Sequence, residues 1–163
     1  MLAIGSAAGG VLVMFQDSLY AAARREIVKR PEVHGFAGTE IIDEGRITEV
    51  ADQSNTALRL LHTHALGIGI LIFIGALAIV NLTVASRLQS VLCIMVSLGA
   101  FYPLGWLVLA WLIPYWGVDA LRPPIEWIFF IPFGGALVIG LFGAVGVCLV
   151  ALLRRLLTHE EGG

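Results

Sequence analysis

Charge is what this sequence has least of. Asp, Glu, Lys and Arg make up 13% of its residues, and 10 basic side chains nearly balance 12 acidic ones. Neither a basic face nor an acidic tail can be drawn from so few charges, which excludes nucleic acid as a partner. Cysteine is rarer still. Cys93 and Cys148 stand in different apolar stretches without CxxC spacing. A disulfide would need those stretches side by side at one depth, and small residues in helix contacts is the plainer reading. The sequence also lacks HExxH, GxSxG and a glycine-rich phosphate loop, and Ser6, Ser86, Ser90 and Ser97 have no histidine at matching depth. No catalytic residue set is read from the chain.

What is present is apolar sequence, 58% of the residues, gathered into long runs. The clearest, LLHTHALGIGILIFIGALAIVNL from Leu60 to Leu82, would rise about 34 Å as a helix, enough for a hydrocarbon core of about 30 Å. Only helices suit such runs, because the short alternating segments of a barrel are missing. The fold class expected is therefore an all-α integral membrane protein, a four-transmembrane-helix bundle forming one domain over residues 1–163. Its spans would cover about 2–23, 60–82, 88–113 and 125–153, with one extramembrane loop over about 24–58. A signal peptide competes with the first span, but a positive n-region is missing and Gln16-Asp17 interrupts the approach to Ala21-Ala22-Ala23. Gly5, Ala8, Gly9 and Gly10 would let a neighbour approach that span closely.

Pro31 is expected to stop the first helix, with Arg24, Arg25, Lys29 and Arg30 at headgroup level as anchors or, alternatively, as an anionic-lipid contact. The stretch Pro31 to Thr56 reads as a surface loop, with a hairpin turn at Asp43-Glu44-Gly45 and a solvated His34. Ser54 or Asn55 would cap the second span. Pro103 should kink the third span and Pro132 the fourth.

The side holding the 16–59 segment and the 114–124 turn carries seven Lys or Arg against three, which makes it cytoplasmic by the positive-inside count, although ten of the twelve acids share it. Both termini fall on the other side. LHTHALG, YPLGW and EWIFFIPFGG together resemble small bacterial four-helix membrane proteins of uncharacterised role; the expected location is the bacterial inner membrane.

Candidate site residues follow from depth. Counted from the loop end, His62 and His64 fall level with Ala110 and Trp111 in the third span and with Glu126 to Phe129 in the fourth. His62, His64, Tyr102, Trp106 and Trp111 would line a cofactor pocket, and His62, His64 and Glu126 are the metal-ligand candidates. Two histidines two residues apart point roughly 200° from each other on one helix, so both cannot bind one metal; His64, one turn from Gly67, is favoured as the inward one. The bland alternative is an interfacial histidine bonded to backbone or to Glu126. A haem would need a second axial ligand from His34, a methionine or a symmetry mate, and copper or zinc would need further ligands. Two functions follow. One is an accessory or assembly subunit of a membrane complex or a homodimer. The other is a haem- or metal-binding redox protein exchanging electrons with quinone.

Overall fold

The structure is a computed structural model that describes the backbone over residues 2–160, and the side chains except at 2–5, 8, 11–13, 154–156 and 158–160. The described residues are helical almost throughout and contain no strand. The elements are α1 (Leu2–Val28), α2 (Pro31–His34), α3 (Glu40–Val80), α4 (Ser86–Leu98), a 3₁₀ turn (Gly99–Phe101), α5 (Tyr102–Trp116), α6 (Val118–Ile125), a π-helix (Glu126–Gly134) and α7 (Gly135–Glu160). Three stretches are long and apolar enough to cross a membrane: Glu40–Val80, Ser86–Trp116 and Val118–Leu153. The chain is thus an all-helical protein with three candidate membrane spans. The fourth expected span, 2–23, lies within α1, and the side chains of Gly5 and Ala8 that were read there are outside the described residues.

The largest departure from the sequence reading is the 24–58 segment. It is not a loop. Glu40 to Val80 is a single helix of 41 residues, roughly 60 Å long, and Arg24 to Val28 continue α1. The hairpin expected at Asp43-Glu44-Gly45 is the second turn of that helix. Ile47, Val50, Ala51, Ser54, Ala57 and Leu61 are all buried, and their spacing of three and four residues puts them on one face. The helix begins at Thr39, fifteen residues before the expected cap at Ser54. There the Asp43 carboxylate accepts from Ala37 N–H at 2.6 Å and Gly38 N–H at 3.1 Å. Gly38, at φ 78°, holds a backbone conformation that a residue with a Cβ rarely adopts.

α1 returns antiparallel along α3. Arg24 pairs with Glu44 and donates to Thr48 Oγ1 at 3.2 Å, while at the other end of the contact Gly9 lies against the His62 ring. α5 runs antiparallel on another face of α3, and α4 packs on α7. Two apolar cores result. One gathers Ile27, Ile47, Val50, Ala57, Leu109, Ile113 and Ile125 at the α2 end; the other gathers Ile68, Ile79, Leu92, Val96, Leu137 and Ala144 towards the far end.

Three prolines account for the irregularities of the membrane helices. Pro103 has no N–H for the Gly99 carbonyl, and Tyr102 N–H takes it instead, tightening one turn to 3₁₀. Pro114 likewise offers nothing to the Ala110 carbonyl, and Ser54 Oγ–H donates to that oxygen from α3 at 2.7 Å. Pro132 stands inside the nine-residue π-helix. In an i→i+5 pattern the Ile128 carbonyl looks to Phe133, and the carbonyl that faces the proline is that of Trp127. At Pro132, where a kink was expected, the backbone is a π-helix.

Candidate functional site

Between the two cores lies a layer of rings. α3 supplies His64, α5 supplies Tyr102 and Trp106, and the π-helix supplies Phe130. The His64 ring centroid is 5.5 Å from that of Tyr102 and 5.6 Å from that of Trp106; Phe130 is 5.0 Å from Tyr102 and 4.7 Å from Trp106. Tilted ring pairs at such distances are favourable beyond their buried area. Glycines let the helices come this close. A Cβ on Gly105 would stand 2.4 Å from Phe130 Cε1, and one on Gly134 would stand 3.1 Å from Tyr102 Cδ2.

His64 Nδ1 lies 2.8 Å from the Leu60 carbonyl oxygen. A carbonyl only accepts, so Nδ1 is the donor and carries a proton. Trp106 Nε1, by contrast, is a buried donor without a hydrogen-bond partner among the described residues. Leaving such a group unsatisfied costs about 1–3 kcal/mol, which the surrounding ring contacts must offset.

The structure brings His64, Tyr102 and Trp106 together and leaves the other candidates elsewhere. His62 faces α1, where a Cβ on Gly9 would come within 2.5 Å of its Cε1. Trp111 is 70% exposed. The Ser54–Ala110 bond sets its level, ten residues, or roughly 15 Å, along α3 from His64. The sequence estimate of depth was displaced because it began the second span at Leu60, whereas α3 and α5 run together well past that point. Glu126 falls a turn before Phe130 and is held by Arg122 Nε at 2.8 Å. His62, His64 and Glu126 therefore do not assemble as metal ligands, and no group of three His, Cys, Asp or Glu among the described residues could hold a metal ion. Cys93 and Cys148 are free thiols, the second of them exposed.

Two polar residues that matter were read otherwise. His34 is 3% exposed, not solvated, and bonds through Nε2 to the Pro114 carbonyl at 3.1 Å. It satisfies one of the last carbonyls of α5, and Arg46 Nε donates to the His34 carbonyl at 3.2 Å. Ser54 acts as the side-chain partner of a carbonyl freed by proline. Pro114 was the signal for Ser54, because its missing N–H frees the Ala110 carbonyl; the carbonyl that His34 meets is free because α5 ends at Trp116. No protein-family model matches the chain, and no curated protein or solved structure is significantly similar to it.

Proposed function

We propose that this chain is a non-catalytic accessory or assembly subunit of a larger membrane complex. In this reading it is a four-span bundle with α1 as the first span, its termini share one side, and it resides in the bacterial inner membrane. The observation that carries the reading is that three interior polar side chains are closed on backbone carbonyls, with Trp106 Nε1 the exception. His64 is tied to Leu60, Ser54 to Ala110 and His34 to Pro114. An interior built this way holds helices in register and offers little to a reacting substrate. Apolar and aromatic residues such as Phe73, Trp111, Trp127 and Phe142 face outward instead, available to lipid and to neighbouring helices. Crosslinking in native membranes tests the proposal. A constant larger partner is expected, and a persistent solitary monomer overturns it.

The competing reading is a redox protein that holds haem or a metal through His64 or His62 and exchanges electrons with quinone. One observation favours it: a metal-binding histidine usually donates its second ring N–H to a carbonyl, as His64 does. The ring layer weighs against a haem, because a macrocycle on His64 would have to displace Tyr102 and Trp106. A copper or zinc ion lacks its further ligands among the described residues. A Soret band in the purified protein, lost in His64→Ala, would establish the redox reading in place of the first.

A further inference from the structure

α2, the outer arm of α3 and the start of α6 border a polar cleft of about 260 Å³, the volume of about nine water molecules. Counted from Val80, a hydrocarbon core of about 30 Å ends near Leu60, and Arg46 and Glu49 on the cleft wall lie roughly 16–21 Å farther out. The cleft therefore opens to water, well apart from the ring layer. Its polar groups fall into two sets.

One set donates. The chain turns at Gly117, with φ 73°, into the eight-residue α6, whose start has no side-chain cap. Gly117 to Ala120 line the cleft. The N–H groups of Val118, Asp119 and Ala120 have no carbonyl within the helix to meet, and no other backbone carbonyl takes them among the described residues. Arg46 adds a cation on the same wall. Its Nε goes to the His34 carbonyl and its Nη1 to Glu49, which leaves Nη2 without a partner among the described residues. A helix N-terminus and a guanidinium on one cleft favour a carboxylate.

The other set accepts. His34 is 3% exposed, and its Nε2 donates to the Pro114 carbonyl. Its Nδ1 has no hydrogen-bond partner, yet it is not sealed in, since Trp106 Nε1 is the one sealed and unpartnered polar side-chain atom among the described residues. Nδ1 thus opens on the cleft that the ring lines, and in the neutral ring it is an acceptor. The carboxylates of Glu49 and Asp119 share this wall, and that of Asp119 has no partner among the described residues. Two carboxylates and a ring nitrogen suit an ammonium group. One positive charge on Arg46 against two negative ones disfavours a simple anion, so a molecule carrying both signs is the better match.

We propose that this cleft binds a free α-amino acid, its carboxylate on the start of α6 and Arg46, its ammonium on Asp119 and His34 Nδ1. The Trp116 indole, 63% exposed at the rim, gives an apolar side chain a surface to cover. The proposal goes beyond the accessory reading and does not rest on it.

The test uses the full chain in detergent micelles and isothermal titration calorimetry. The probes are L-leucine, isocaproate, which is leucine without its ammonium, and isoamylamine, which is leucine without its carboxylate. Leucine should bind, and each half-molecule should bind about tenfold more weakly, because hydrogen bonds to a charged group are lost at one end. Asp119→Asn should weaken leucine and the amine by a similar factor and leave the acid no weaker. Val118→Pro removes one N–H at a helix position that tolerates proline; it should weaken leucine and the acid and spare the amine, with helix content unchanged by circular dichroism. Failure of L-leucine, L-alanine and L-phenylalanine to bind in the millimolar range overturns the proposal. So does a half-molecule that binds as tightly as leucine, or an Asp119→Asn variant that weakens all three probes alike.

Discussion

Gly105→Ala puts one methyl group where the ring layer has no room for it. The added Cβ would meet Phe130 Cε1 at 2.4 Å and Phe129 Cβ at 3.0 Å, against a favourable carbon separation of about 3.5–4.0 Å. The Phe130 ring cannot simply swing aside, since it is held 5.0 Å from Tyr102 and 4.7 Å from Trp106. Phe129 Cβ is fixed by its backbone. Overpacking of this kind costs about 1–3 kcal/mol, while replacing a helical glycine by alanine returns about 0.5–1 kcal/mol. The net expected is a loss of about 1–2 kcal/mol. Gly67→Ala is the matched control, because a Cβ at Gly67 meets nothing within 4 Å; it should be neutral or slightly stabilising. Unfolding both variants in mixed micelles by added dodecyl sulfate, followed by tryptophan fluorescence, gives the comparison. If Gly105→Ala is as stable as Gly67→Ala, the close approach of α5 to the π-helix is wrong.

Other consequences can be measured the same way. Ser54→Ala leaves the Ala110 carbonyl with neither the hydroxyl nor a Pro114 N–H, and should cost about 1–3 kcal/mol; recovery in Ser54→Thr would separate the hydrogen bond from packing, and an unchanged midpoint in Ser54→Ala would contradict the assignment. Gly9→Ala drives a methyl into the His62 ring and should loosen α1 from α3, seen as faster proteolysis after Arg24 or Arg25; protection equal to wild type would count against that contact. The Glu26 carboxyl is held below its ordinary value by Lys29 first and then by Arg30. A depressed folded-state pKa contributes stability above the ordinary carboxylate range, and that contribution is lost as pH falls through the lower folded value. The stability difference between wild type and Glu26→Gln should therefore shrink on acidification below about pH 4; a constant difference would refute it.

The membrane-spanning runs were legible because apolar length is a one-dimensional property: Leu88 to Ile113 and Ile125 to Leu153 fall inside the helices that carry it, and Leu60 to Leu82 overruns its helix only by Asn81 and Leu82. The helical arm from Glu40 to Arg59 was not, because Glu40-Ile41-Ile42 and Arg46-Ile47-Thr48 on either side of Asp43-Glu44-Gly45 imitate a hairpin over a short window. Over twenty residues the spacing of Ile47, Val50, Ala51, Ser54 and Ala57 is helical, and that longer period is the one the fold obeys. Misplacing the start of the helix then shifted the depth count, so Trp111 and Glu126 were added to Tyr102 and Trp106 beside His64, where Phe130 stands instead. Each proline marked a disturbance, but not its kind. A 3₁₀ turn, a borrowed hydroxyl and a π-helix are all ways of living without one N–H, and the choice among them depends on neighbours that sequence does not display.

The register of α3 against α5 underlies the whole account, because it decides which rings surround His64. Paired cysteines test it directly, in a background with Cys93 and Cys148 replaced by serine. The Ser54→Cys, Ala110→Cys pair should oxidise readily to an intramolecular disulfide, since Ser54 Oγ is 2.7 Å from the Ala110 carbonyl oxygen. The His64→Cys, Ala110→Cys pair should stay reduced. A bridge in the second pair and none in the first would put His64 level with Trp111 and remove the ring layer.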